Sequence, residues 1–211
     1  MPTEGAGREV VLVHGLWLRG WAMAVLGWRL RKAGFRTRSF SYATTRQELG
    51  QQVEKLHRFA LAGGGGMPHF VAHSMGGLIT VQMLERFGGE PSGRVVLMGS
   101  PLRGSSVASR VSEWPGGKAL LGAAQRTLIE GVQNWPNRWE IGMIAGTQQV
   151  GIGVVAGGAA DRSDGTVLEH ESRHDGLDDY IEISTSHTGL LVSPHAARQA
   201  IAFLEHGTFA H

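Results

Sequence analysis

Apolar residues along this chain fall into short unbroken runs that alternate with stretches of helical spacing. Val10-Val11-Leu12-Val13 is the first run, and it reads as a strand covered on both faces, because four consecutive apolar residues leave no side for water. Ala22 to Lys32 is helical in character and stops at Gly34. Phe35 to Ser41 alternates as a second strand. From Arg46 to Ala62 the residues Leu49, Val53, Leu56 and Ala60 share one face, an amphipathic helix ended by Gly63 to Gly66. His69 to His73 is a third strand, Met75 to Phe87 the helix directly behind it, and Arg94 to Met98 a fourth strand. Glu140 to Ala145 and Tyr180 to Ser184 give two more. A last helix runs from Pro194 to His206 with Ala197, Ile201 and Leu204 on its inner side. Strands alternating with helices predict an α/β fold: a mostly parallel sheet of about six strands with helices on both faces, a three-layer sandwich.

Two stretches break the alternation. Residues 101–139 hold Trp114, Trp135 and Trp139 and one helix from Lys118 to Glu130; residues 147–179 are glycine-rich and then acidic. Long connections at the carboxyl ends of parallel strands are where ligand sites are built. With no linker or repeat in view, 1–211 reads as a single domain, and 101–139 as a small cap or substrate-pocket insertion.

Composition narrows the partners. The 211 residues, 42% hydrophobic and 18% charged, have the balance of one globular core. A net charge of +2 with scattered basic residues argues against a nucleic-acid surface. The chain has no cysteine, which removes disulfides, thiolate catalysis and cysteine-held zinc. The residues from Met1 to Glu9 lack a secretory pattern, so the expected compartment is the cytoplasm. The uncharged stretch from Ile141 to Ala160 is broken by glycines and Gln148-Gln149, which fits a strand and loop rather than a stable membrane insertion. Gly63 to Gly66 lacks the Lys-Ser/Thr ending of a phosphate loop and follows a helix, so it reads as a connector.

The candidate chemistry centres on Ala72-His73-Ser74-Met75-Gly76-Gly77, set between a strand and a helix. A serine on so sharp a turn is strained and presents its hydroxyl above the sheet, and the turn demands small neighbours such as Ala72 and Gly76. Such a serine needs a base, and the base needs a carboxylate, in the chain order Ser, acid, His. His187 follows the last strand and would share a rim with Ser74; its rival His195 opens the last helix. His57, His206 and His211 read as surface residues, while His69 and His73 precede any acid. Asp164 is the expected acid, because Asp164-Gly165-Thr166-Val167 forms a turn that drops onto apolar packing; Asp161, Asp175, Asp178 and Asp179 compete. An oxyanion hole would take the backbone N–H groups of Met75 and of Leu16, the latter in the loop His14-Gly15-Leu16-Trp17. Trp17 is the expected substrate contact, and the three tryptophans of 101–139 fit either an acyl pocket or the core.

Val11-Leu12-Val13-His14-Gly15, the Ser74 elbow, and Ser163-Asp164-Gly165-Thr166-Val167 with His187 together resemble the α/β-hydrolase superfamily. Within it they resemble small bacterial lipases and esterases, some of which share the Ala-His-Ser-Met-Gly-Gly elbow. The resemblance spans nearly the whole chain. It implies a Ser-His-Asp triad, no cofactor and no metal, and hydrolysis of small-molecule or lipid carboxylic esters through an acyl-enzyme. The same triad would serve a thioesterase, an acyltransferase, or an amidase or peptidase. A non-catalytic binding module is the remaining alternative, and retention of all three triad residues counts against it. Serine rather than aspartate on the elbow counts against a haloalkane dehalogenase.

Overall fold

The computed structural model describes residues 8–150 and 162–211. Six strands form one sheet: β1 (Glu9–Val13), β2 (Arg36–Phe40), β3 (His69–His73), β4 (Val95–Met98), β5 (Ile141–Gly146) and β6 (Asp179–Ile183). Their order is β2-β1-β3-β4-β5-β6, and every pairing is parallel, where the sequence predicts a mostly parallel sheet. Eight α-helices accompany them among the described residues: α1 (Ala24–Lys32), α2 (Leu49–Leu61), α3 (Met75–Phe87), α4 (Ser106–Glu113), α5 (Gly117–Leu121), α6 (Ala124–Glu130), α7 (Glu169–Ser172) and α8 (Pro194–His206).

Strand alternation divides the core in two. Val11, Val13, Phe70, Ala72, Leu97 and Met143 point to one side and pack with α2, α3, α4 and α6. Val10, Leu12, Val71, Val96, Met98 and Ile144 point to the other and pack with α1 and α8. Unbroken apolar runs were therefore the correct sign of a sheet covered on both faces.

The connections differ from expectation in four places. A 3-10 turn, Gly20–Met23, leads into α1. The predicted helix from Lys118 to Glu130 is two helices broken at Gly122, whose φ of 55° ends α5 and lets Ala123 N–H donate to the Thr45 carbonyl at 2.9 Å. The helices α4 and α7 were not anticipated. Ser105 caps α4, its side chain accepting from Ala108 N–H, and only three small residues of α4 are buried, which gives a weak periodic signal. Among the described residues no helix is long and apolar enough to cross a membrane.

The chain runs outward from β1 to β2 and then crosses to the other side of β1 for β3. The carboxyl ends of β1 and β3 thus flank the point where strand order reverses, the place in such sheets where a crevice opens.

Candidate active site

Ser74 sits where that crevice opens. The buried strand β3 ends at His73, and α3 begins at Met75, so one residue must turn the chain from strand to helix. Ser74 does so at φ 55° and ψ −127°, a conformation disfavoured for any residue with a Cβ. The turn is possible because its neighbours are small. A Cβ on Gly76 would lie 2.6 Å from the His14 carbonyl oxygen, and one on Gly15 would lie 2.9 Å from Ser74 Cβ. Trp17 is the only other non-glycine residue with positive φ (59°) among the described residues, so both backbone outliers fall in the same place.

His187 and Asp164 come together from the loops after β6 and β5. His187 Nδ1 lies 2.7 Å from Asp164 Oδ2, and both residues are buried. The carboxylate fixes the tautomer: Nδ1–H donates to it, leaving Nε2 with a lone pair. Asp164 is itself held by the turn predicted for it. Its Oδ1 accepts from Thr166 N–H (2.9 Å) and Val167 N–H (2.7 Å), Gly165 takes φ 92°, and Val167 is buried. The Asp164 carbonyl also accepts from His187 N–H at 2.8 Å, which ties the two loops by their main chains. The competitors are engaged elsewhere. Asp175 pairs with Arg103, Asp178 accepts from Ile141 N–H, and Asp179 accepts from Phe209 N–H and meets His211. Asp161 lies outside the described residues. His195, the rival base, contacts Gln199 on its own helix.

Ser74, His187 and Trp17 line one cavity of about 320 Å³. Its remaining wall is mostly aliphatic: Leu16, Val107, Ala108, Val111, Leu121 and Leu128. The stretch 101–139 therefore supplies much of the wall, through α4, α5 and α6, but not through its tryptophans. Trp139 packs in the core against Phe70, Trp135 stacks on His174 at 4.0 Å, and Trp114 is half-exposed. Among the described residues no group accepts a hydrogen bond from Leu16 N–H or from Met75 N–H. Trp17 N–H, by contrast, donates to Thr44 Oγ1 at 3.3 Å.

A family model for the alpha/beta hydrolase family matches residues 10–208. The chain belongs to the alpha/beta hydrolase family. No curated protein matches it. Solved structures share the hydrolase fold at low identity. The mature lipase BlEst2 of Bacillus licheniformis superposes with a TM-score of 0.76 at 22% identity, over 99% of this chain and 95% of that one. A metagenomic carboxyl esterase gives 0.62 at 18% identity, over 89% of this chain and 66% of that one. Polyneuridine aldehyde esterase gives 0.65 at 13% identity, over 94% and 99%. At these identities the likeness is one of fold.

Four residues that support this candidate site were given no role from sequence. His73, set aside because it precedes the acid, is fully buried, and its Nε2–H donates to the His187 carbonyl at 3.0 Å. Burial lowers its pKa to about 3, with the neighbouring His187 adding to the shift, so it stays neutral. Gly99, at the end of β4 with φ 56°, leaves room for the pair: a Cβ there would lie 2.8 Å from Asp164 Oδ2 and 3.1 Å from His187 Nδ1. His14 and Tyr42 stack at 4.5 Å, and Tyr42 O–H donates to the His14 carbonyl at 2.8 Å, which anchors the loop carrying Leu16. A histidine before the serine, and a glycine ending a strand beside it, were the available signals. Among the described residues no cluster of three or more His, Asp or Glu side chains is placed to hold a metal ion.

Proposed function

We propose that this hydrolase cleaves carboxylic esters by acyl transfer through Ser74. The observation that carries the reading is the buried His187–Asp164 pair at 2.7 Å, whose histidine lines one mostly aliphatic cavity together with the strained Ser74. In this reading His187 Nε2 removes the Ser74 proton as the hydroxyl attacks the ester carbonyl. Asp164 holds the ring and offsets the charge that forms on it. The Leu16 and Met75 N–H groups, neither engaged among the described residues, donate to the developing oxyanion, helped by the N-terminus of α3. His187 then protonates the departing alcohol and activates a water that releases the acid. The aliphatic wall suits an acyl chain. The words lipase and esterase in the names of the solved neighbours agree with ester cleavage, although that likeness carries only the fold.

The test is hydrolysis of p-nitrophenyl esters from acetate to palmitate by the native protein and by Ser74→Ala. The expected outcome is turnover that falls by at least about 10⁴-fold in the variant, with folding unchanged. Equal rates in the two proteins would remove Ser74 as nucleophile. A native protein inert on every ester, yet active on acyl thioesters, would move the reading to a thioesterase.

A further inference from the structure

The helix α1 has an apolar stripe on the side that faces away from the core. Leu26, Gly27 and Leu30 are its buried face. Opposite them, Trp21 in the preceding turn is 74% exposed, Val25 41% and Trp28 48%. At helical spacing these three share one line with Lys32, whose ammonium lies 4.1 Å from the Trp28 ring centroid. Arg29 and Arg31 fall on either side of the line. Scattered exposed apolar residues are ordinary, but two tryptophans and a valine aligned on the solvent face of one helix are not.

The charges in the stripe's own stretch of sequence have one sign. Between Glu9 and Glu48 the sequence contains no acidic residue. Arg36 and Arg38 share the single carboxylate of Glu9. Arg19, Arg29, Arg31 and Lys32 have no carboxylate partner among the described residues; Arg29 instead donates to the carbonyl of Val192, itself an exposed apolar residue, and Arg31 to Thr37 Oγ1. Tryptophan side chains flanked by unpaired cations match the boundary between the acyl and headgroup layers of an anionic bilayer, where indoles partition and Lys and Arg meet lipid phosphates. Two copies of this face would oppose like charges, which disfavours self-association. Along the chain the stripe begins four residues after Trp17, which lines the cavity.

We propose that the Trp21–Val25–Trp28 stripe, with Arg29, Arg31 and Lys32, adsorbs the protein onto anionic phospholipid surfaces. The contact is peripheral and needs no chemistry at Ser74, so it stands or falls separately from the ester reading.

The experiment is co-sedimentation of the full chain with vesicles of phosphatidylcholine alone or mixed with phosphatidylglycerol, without any ester substrate. Binding is expected to the mixed vesicles and to be weak with phosphatidylcholine alone. Raising salt from about 0.05 to about 0.5 M should release the protein. Trp21→Ala with Trp28→Ala should weaken the partition coefficient about tenfold or more, and Arg31→Gln with Lys32→Gln about fivefold for each cation removed. All four positions are exposed, and unchanged circular dichroism of the variants checks that they fold. Native protein that stays in the supernatant with anionic vesicles at low salt overturns the proposal. So does binding that neither pair of substitutions weakens, or a stripe whose removal only dissolves a dimer.

Discussion

Asp164 shows how much of this site rests on one oxygen. Its Oδ1 is occupied by the Thr166 and Val167 amides, so only Oδ2 faces His187 Nδ1. In Asp164→Asn the amide oxygen can keep the two backbone donors, and the NH₂ group then points at Nδ1. That forces the ring proton onto Nε2, the nitrogen that accepts from Ser74 in the proposed mechanism. The expected result is a kcat lower on the order of 10⁴-fold with KM and melting temperature nearly unchanged. A variant within tenfold of the native rate would show that the carboxylate does not set the tautomer. The turns at Ser74 and Asp164 were legible because their geometry is written in adjacent residues. His73 and Gly99 were not, because their value lies in what the fold brings against them. A histidine inside an apolar strand carries no sign that its Nε2–H will donate to the His187 carbonyl.

Among the elements, the cavity wall is tied to the Asp164 loop by one buried carboxylate. Glu171, in α7, accepts from Ser106 N–H at the start of α4 (2.6 Å) and from Leu168 N–H (3.0 Å), and its carbonyl accepts from Arg103 N–H (2.9 Å). It is buried and meets the positive end of the α4 dipole. Glu171→Ala would strand two buried amides and loosen α4 from the loop that ends in Asp164. The expected loss is about 2–4 kcal/mol, read from the denaturant midpoint, together with a raised KM for long-chain esters as Val107, Ala108 and Val111 lose their anchor. A midpoint equal to the native one would show that water serves those amides equally well. Long periodic elements such as α2, α3 and α8 were legible in the sequence, as were all six strands. The short helices α4 to α7 were harder, since breaks at Gly116 and Gly122 and brief apolar faces erase periodicity. The tryptophans of 101–139 left two readings open, and the fold uses them for packing and surface rather than for the pocket.

At the scale of the whole molecule, histidines buried near the sheet's carboxyl edge make folding sensitive to acid. His73 is fully buried with its pKa lowered to about 3, and burial lowers that of His14 as well. In the unfolded chain both titrate near the ordinary value of 6.5. Between those two values the unfolded chain binds a proton that the folded His73 refuses, so stability rises with pH there and is lost as pH falls from about 6.5 toward 3. His73 contributes a slope of up to about 1.4 kcal/mol per pH unit, or about 2 kcal/mol between about pH 6.5 and 5, and His14 adds in the same direction. Above pH 6.5 the contribution is complete and the stability curve should flatten. Urea unfolding near pH 8, 7 and 5 tests this, with His73→Gln as the comparison. Glutamine keeps a donor for the His187 carbonyl but cannot be protonated, so the variant, though less stable at pH 7, should lose a large part of the slope between pH 7 and 5. The slope is the informative quantity, because a packing defect shifts stability at every pH alike. A native protein equally stable at pH 5 and 7, or a His73→Gln variant with the native slope, would place the acid sensitivity elsewhere than in this buried ring.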